Sequence, residues 1–124
     1  MSLGQYRASR KSIPGFIRHP GYHCGSTALS DVMTCCGMPL SEPMCFGLGA
    51  GLGFHYTEWQ GLNPSRVFQV RSSDLEANFF EALGIPCRWR TAPDPEEALN
   101  SAKAGIDRNN PVLLRTDIYN HSPA

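Results

Sequence analysis

The chain has 124 residues, of which 41% are apolar and 18% charged, with eleven basic residues balancing eleven acidic ones. This composition excludes a disordered tail, and the zero net charge excludes the electrostatic footprint of a dedicated nucleic-acid binder or a polybasic membrane anchor. No run approaches the roughly 20 apolar residues that span a bilayer, and residues 2–12 lack a signal peptide's apolar centre, so a cytoplasmic setting is expected.

A chain of this length is expected to form one domain, residues 1–124. Residues 4–22 carry Pro14, Gly15, Pro20 and Gly21 around Ile13, Phe16 and Ile17, which predicts an extended lead-in with turns. From Ser26 to Cys36 the positions Ala28, Leu29, Val32, Met33 and Cys36 follow helical spacing, and Gly37 is placed to end that helix. Cys24 then sits at the helix's amino end. Ser41-Glu42-Pro43 supplies an N-cap, a first-turn acid and a first-turn proline for a short second helix. The glycine-alternating run from Gly47 to Gly53 predicts an ordered loop. Val67 to Val70 predicts a short strand, and Ser73 a cap for a helix with Leu75, Phe79 and Leu83 on its apolar side, ending at Gly84. Ile85 to Thr91 predicts a strand. Asp94-Pro95-Glu96-Glu97 opens a further helix that Asn109-Asn110-Pro111 stops, and Val112 to Tyr119 predicts the strongest strand. Helices followed by a small mixed or antiparallel sheet make the expected class α+β, and a last strand without later neighbours predicts a sheet incomplete at the carboxyl end.

Cys24 carries the sharpest chemical signal. A thiol at a helix amino terminus lies beside unpaired backbone N–H groups and the positive end of the helix dipole, both of which favour thiolate. The amides of Cys24 and Gly25 are also placed to stabilise an oxyanion. Against this stands the plain alternative that Cys-Gly-Ser-Thr is only a helix start. An odd set of five cysteines, Cys24, Cys35, Cys36, Cys45 and Cys87, favours free thiols over a disulfide framework, and the last four are expected to be small core residues. Adjacent Cys35 and Cys36 diverge by about 100° on a helix, and no Cys-x-x-Cys pair occurs, so neither a metal nor any other cofactor is expected. The glycine run lacks a nucleotide fingerprint and reads as structural turns rather than a phosphate cradle.

The stretch Gly21-Tyr22-His23-Cys24-Gly25-Ser26-Thr27-Ala28-Leu29, followed by Leu40-Ser41-Glu42-Pro43-Met44-Cys45-Phe46-Gly47-Leu48-Gly49-Ala50-Gly51-Leu52-Gly53-Phe54, resembles the amino-terminal domain family of butirosin biosynthesis protein H. Leu83-Gly84, Asp94-Pro95-Glu96-Glu97-Ala98 and Pro111-Val112-Leu113-Leu114-Arg115-Thr116-Asp117 extend the resemblance over roughly residues 12 to 120. It implies the leading half of a papain-like or C39-like cysteine enzyme, with Cys24 as catalytic nucleophile. Around it, His23, Gly25, Ser26 and Glu42 are the candidate cleft or substrate-binding residues, and Glu42 at a helix start also reads as a capping or dipole partner. The implied reaction moves an acyl group from an acyl carrier protein or other acyl thioester to a small amine acceptor, as in antibiotic biosynthesis. Hydrolysis by a peptidase or amidase would share the same thioester intermediate. A non-catalytic role is the third reading, with the last strand's edge pairing with a second copy in a homodimer. The family's catalytic histidine and its partner are expected after the segment matching Val112 to Tyr119. No motif supports His121 as that base, and His23, adjacent to Cys24, fits the turn or cleft better.

Overall fold

The computed structural model describes residues 11–116. Its elements, in order, are α1 (Cys24–Cys35), α2 (Glu42–Leu48), β1 (Leu52–Glu58), β2 (Arg66–Arg71), α3 (Leu75–Ala82) and α4 (Pro95–Asp107). The chain is an α+β protein, with four helices and a two-stranded antiparallel sheet among the described residues. The described residues divide into two compact units, one of residues 17–91 and one that joins residues 92–116 to residues 11–16.

The core of the larger unit lies where α1 meets α2 and α3. Leu29, Met33, Cys45, Leu75 and Phe79 are its buried apolar residues, drawn from all three helices. Leu29 and Met33 are four apart on α1 and so share a face, as do Leu75 and Phe79 on α3. Ser30 Oγ donates to the Leu40 carbonyl at 2.6 Å and fixes the turn between α1 and α2.

Each helix ends in the same device. In the Schellman motif the residue after the C-cap turns left-handed so that two amides satisfy carbonyls of the last turn. Gly37 does this for α1, with Gly37 N–H on Thr34 O and Met38 N–H on Met33 O. Gly84 does it for α3 and Asn109 for α4. At the end of α2 the left-handed residue is Ala50, at φ 49°, with Ala50 N–H on Gly47 O and Gly51 N–H on Phe46 O. Ala50 thus holds a conformation that disfavours a Cβ, where the other three helices use glycine or asparagine.

β1 and β2 pair with Tyr56 opposite Phe68 and Thr57 opposite Val67, and a bulge lies between Leu52 and His55. Glu58 and Arg66 close the turn end with an Arg66 Nε–Glu58 Oε1 ion pair of 3.2 Å. Leu52, Phe54, Tyr56, Phe68 and Val70 are all exposed. In the smaller unit Asp94 caps α4 through Glu97 N–H at 2.8 Å, Lys11 pairs with Asp107 at 2.6 Å, and Val112 packs where Gly105 has no side chain.

The strand expectations need correction. β1 stands partly in the expected glycine loop, because Phe54, Tyr56 and Thr57 have a partner segment in Val67-Phe68-Gln69-Val70. Gly47 and Leu48 belong to α2. Ile85–Thr91 forms no strand, and Pro86 removes one ladder donor there. Residues 112–116 are likewise not a strand; the rest of that expected strand, 117–119, lies outside the described residues, as does His121. A strand exists only through its neighbour, which local sequence does not name.

Candidate active site

Cys24 is the first residue of α1 and is exposed. The preceding residue, His23, is the N-cap, with extended backbone (φ −134°, ψ 124°) and a carbonyl that accepts Thr27 N–H at 2.9 Å. Its imidazole does the work usually given to Ser or Asp, with Nδ1 accepting Ser26 N–H at 3.2 Å. A ring nitrogen that accepts must carry the lone pair, so in the neutral ring the proton resides on Nε2. His23 is thereby committed to building the turn, which agrees with its expected place in the turn or cleft. Its ring also meets Phe46 edge-on, with centroids 5.4 Å apart.

Glu42, from the start of α2, organises the same turn. Its Oε1 accepts the backbone N–H groups of His23 at 2.8 Å and Tyr22 at 2.9 Å, the Thr27 hydroxyl at 2.9 Å and the Ser26 hydroxyl at 3.3 Å. These donors hold its carboxyl below the ordinary carboxylate value, the His23 amide first among them, although partial desolvation opposes the shift. Gly21 approaches so closely that an added Cβ would collide with Thr27 and the Glu42 carboxylate. Ser26 is fully buried beneath this network. Gly25 lies between elements, since a Cβ there would come within 3.2 Å of both Glu76 Oε1 and His23 Cε1.

The residues expected from sequence therefore converge. His23, Ser26 and Glu42 form one hydrogen-bonded network at the amino end of α1, with Cys24 and Gly25 as its first two helical residues. Sequence reasoning missed Thr27, whose signal was a hydroxyl one turn into a helix that opens on a buried serine. It also missed His19 and Asp31. His19 donates Nδ1–H to Asp31 Oδ1 at 2.9 Å and its backbone N–H to Oδ2 at 3.2 Å, strapping the lead-in along α1. Asp31 is a buried acid on the α1 face, a polar residue in an apolar periodicity, and that was the available sign.

The other cysteines separate. Cys45 is buried, and desolvation pushes its thiol pKa up, as befits a core residue. Cys35 is half-buried, but Cys36 and Cys87 are exposed, which corrects their expected place in the core. Cys36 caps the end of α1 and Cys87 lies in the irregular 85–91 segment, and both thiols face solvent. Among the described residues no group of three His, Cys, Asp or Glu side chains could hold a metal ion, and no helix is long and apolar enough to cross a membrane.

Beside this network lies an open hollow of about 400 Å³ lined by Pro43, Phe46, Gly47, Ala50, Gly51 and Leu52.

Fold and site together define an α+β protein with a cysteine opening a helix whose amino end is tied to a second helix by a carboxylate. Residues 23–121 match the family described as butirosin biosynthesis protein H, N-terminal, and the chain belongs to that family. No curated protein and no solved structure matches it.

Proposed function

We propose that this chain takes part in cysteine-dependent acyl transfer, in a biosynthetic setting of the kind its family's description names. The observation that carries the reading is the placement of Cys24, exposed at the first position of α1, on a turn fixed by the His23 cap and the Glu42 carboxylate. A fixed turn favours nucleophilic catalysis because the sulfur needs little reorganisation to reach a carbonyl.

In this reading the Cys24 thiolate attacks the carbonyl carbon of an acyl carrier thioester. The developing oxyanion is met by helix-terminal amides, of which Gly25 supplies one. Collapse expels the carrier's sulfur, which leaves as a thiol after taking a proton, and the acyl group remains on Cys24 as a thioester. A small amine then attacks that thioester, loses its proton and departs as an amide, returning Cys24. His23 is excluded as the first proton acceptor through Nδ1, because that nitrogen already accepts from Ser26. The base therefore comes from another group.

Intact-mass measurement after exposure to a simple acyl-pantetheine thioester tests this directly. The expected result is one acyl adduct on Cys24, absent in Cys24→Ala and discharged faster by an added primary amine than by water. An adduct spread over Cys36 and Cys87 at equal rates would reduce Cys24 to an ordinary exposed thiol. Discharge by water alone, unaffected by the amine, would move the reading to a hydrolase.

A further inference from the structure

The hollow beside α2 is apolar on its side-chain walls, with Pro43, Phe46, Ala50 and Leu52 contributing carbon and Gly47 and Gly51 leaving room. Its volume falls in the roughly 300–1,000 Å³ range of small-molecule sites. Three features tie it to the Cys24 turn rather than leave it as a surface dent.

First, the Phe46 ring that forms one wall is the same ring that packs edge-on against His23, the residue before Cys24. Second, that ring packs closely against Gly51, where an added Cβ would lie 2.5 Å from Phe46 Cε2. The wall is therefore fixed between the cap of α1 and the backbone after α2. Third, Ala50 lines the hollow at a left-handed position where glycine would be unstrained. Strain retained in a binding wall, where an unstrained residue was available, points to a use for the group that causes it.

We infer that this hollow takes the aliphatic chain of the acyl group delivered to Cys24, so that medium-length straight-chain acyl thioesters are the preferred donors. The inference rests on the reading of Cys24 as acyl acceptor, and no charged side chain lines the hollow to suit a polar acyl group instead. Each methylene moved from water into such a wall favours binding by about two- to fourfold, the lower value applying to an open site.

The test uses S-octanoyl-pantetheine and S-acetyl-pantetheine with the full chain. Calorimetric binding to Cys24→Ala reads the hollow without any chemistry, and the octanoyl compound should bind tighter on the order of 50-fold. Gly47→Leu fills the hollow from a position where an added Cβ meets nothing within 4 Å, and it should reduce that preference to a few-fold. Leu52→Asp, at an exposed lining residue, should reduce it by a different route. Iodoacetamide labelling of Cys24 in both variants reports whether the thiol itself was disturbed. Equal binding of the two compounds, or a preference that survives both substitutions, overturns the inference. If Cys24→Ala discriminates and Gly47→Leu abolishes the discrimination while the parent chain forms no acyl adduct, the hollow stands and the acyl-transfer reading fails.

Discussion

Phe79 and Phe68 occupy neighbouring elements of the same unit, yet Phe79 is 0% exposed and Phe68 is 67% exposed. The helices α1, α2 and α3 contain all the buried apolar residues of that unit, whereas β1 and β2 contain none among their described side chains. The two regions are held by different physics. The helical cluster is held by apolar burial plus a polar network whose partners come from separate elements. The hairpin is held by its own ladder, one Phe54–Phe68 ring pair with centroids 6.2 Å apart, and a terminal ion pair. The Cys24 turn is built on the first region, so its geometry inherits the rigidity of a packed core. The hollow lies where the first region hands over to the second, with α2 on one side and Leu52 of β1 on the other.

The comparison breaks most visibly at Phe79. Truncation to Ala removes a fully buried ring and should cost about 3–5 kcal/mol in urea denaturation, enough to unfold a marginal domain. Glu42 comes next, because Glu42→Gln weakens acceptors for donors from α1 and the lead-in at once. The folded carboxyl is held below its ordinary 4.5, so Glu42 stabilises the fold above that pH and the contribution is lost as pH falls through the lower folded value. The parent chain should therefore be the more stable of the two at pH 7, and the difference should vanish in acid. A gap that persists unchanged at pH 3 would show that the amide disturbs packing rather than charge-assisted hydrogen bonding.

His23→Ala removes the N-cap acceptor and should cost about 1 kcal/mol, most of which His23→Asn restores, since asparagine is a strong cap. Because the cap positions Cys24, acylation in His23→Ala should slow by more than the stability loss predicts. Ala50→Gly runs the other way. Relief of the left-handed strain should stabilise the chain by about 1 kcal/mol, while removal of an apolar group from this lining residue should weaken octanoyl preference about two- to fourfold.

Sequence legibility followed the same division. Helix ends were readable because caps are local: Ser41, Asp94, Gly37 and Gly84 all act within a few residues of themselves. Ser73 was the exception, since Asp74 is the N-cap of α3 and its side chain makes no cap hydrogen bond. Cys24, His23, Ser26 and Glu42 could be singled out from the sequence as candidates, but the bonds that join His23, Ser26 and Glu42 could not, because Glu42 reaches back across a helix and a turn. The strands were least legible. β1 hid in a glycine run, and two apolar segments that read as strands form none among the described residues.

The smallest effect sharpens the comparison furthest. Phe68→Thr removes one exposed ring from the hairpin and keeps a β-branched residue on its strand. If the hairpin stands alone, the cost is limited to the Phe54 ring pair and partial burial, about 1 kcal/mol or less, since aromatic pairs contribute roughly 0.5–1.5 kcal/mol. The same substitution should leave iodoacetamide labelling of Cys24 unchanged, because the ring takes no part in the His23–Glu42 network. A cost approaching that of Phe79→Ala would mean that Phe68 is covered in solution, and the division between a packed helical region and an exposed hairpin would be lost. A small cost in dilute protein that grows with concentration would place the cover on another molecule, since only association makes apparent stability depend on concentration.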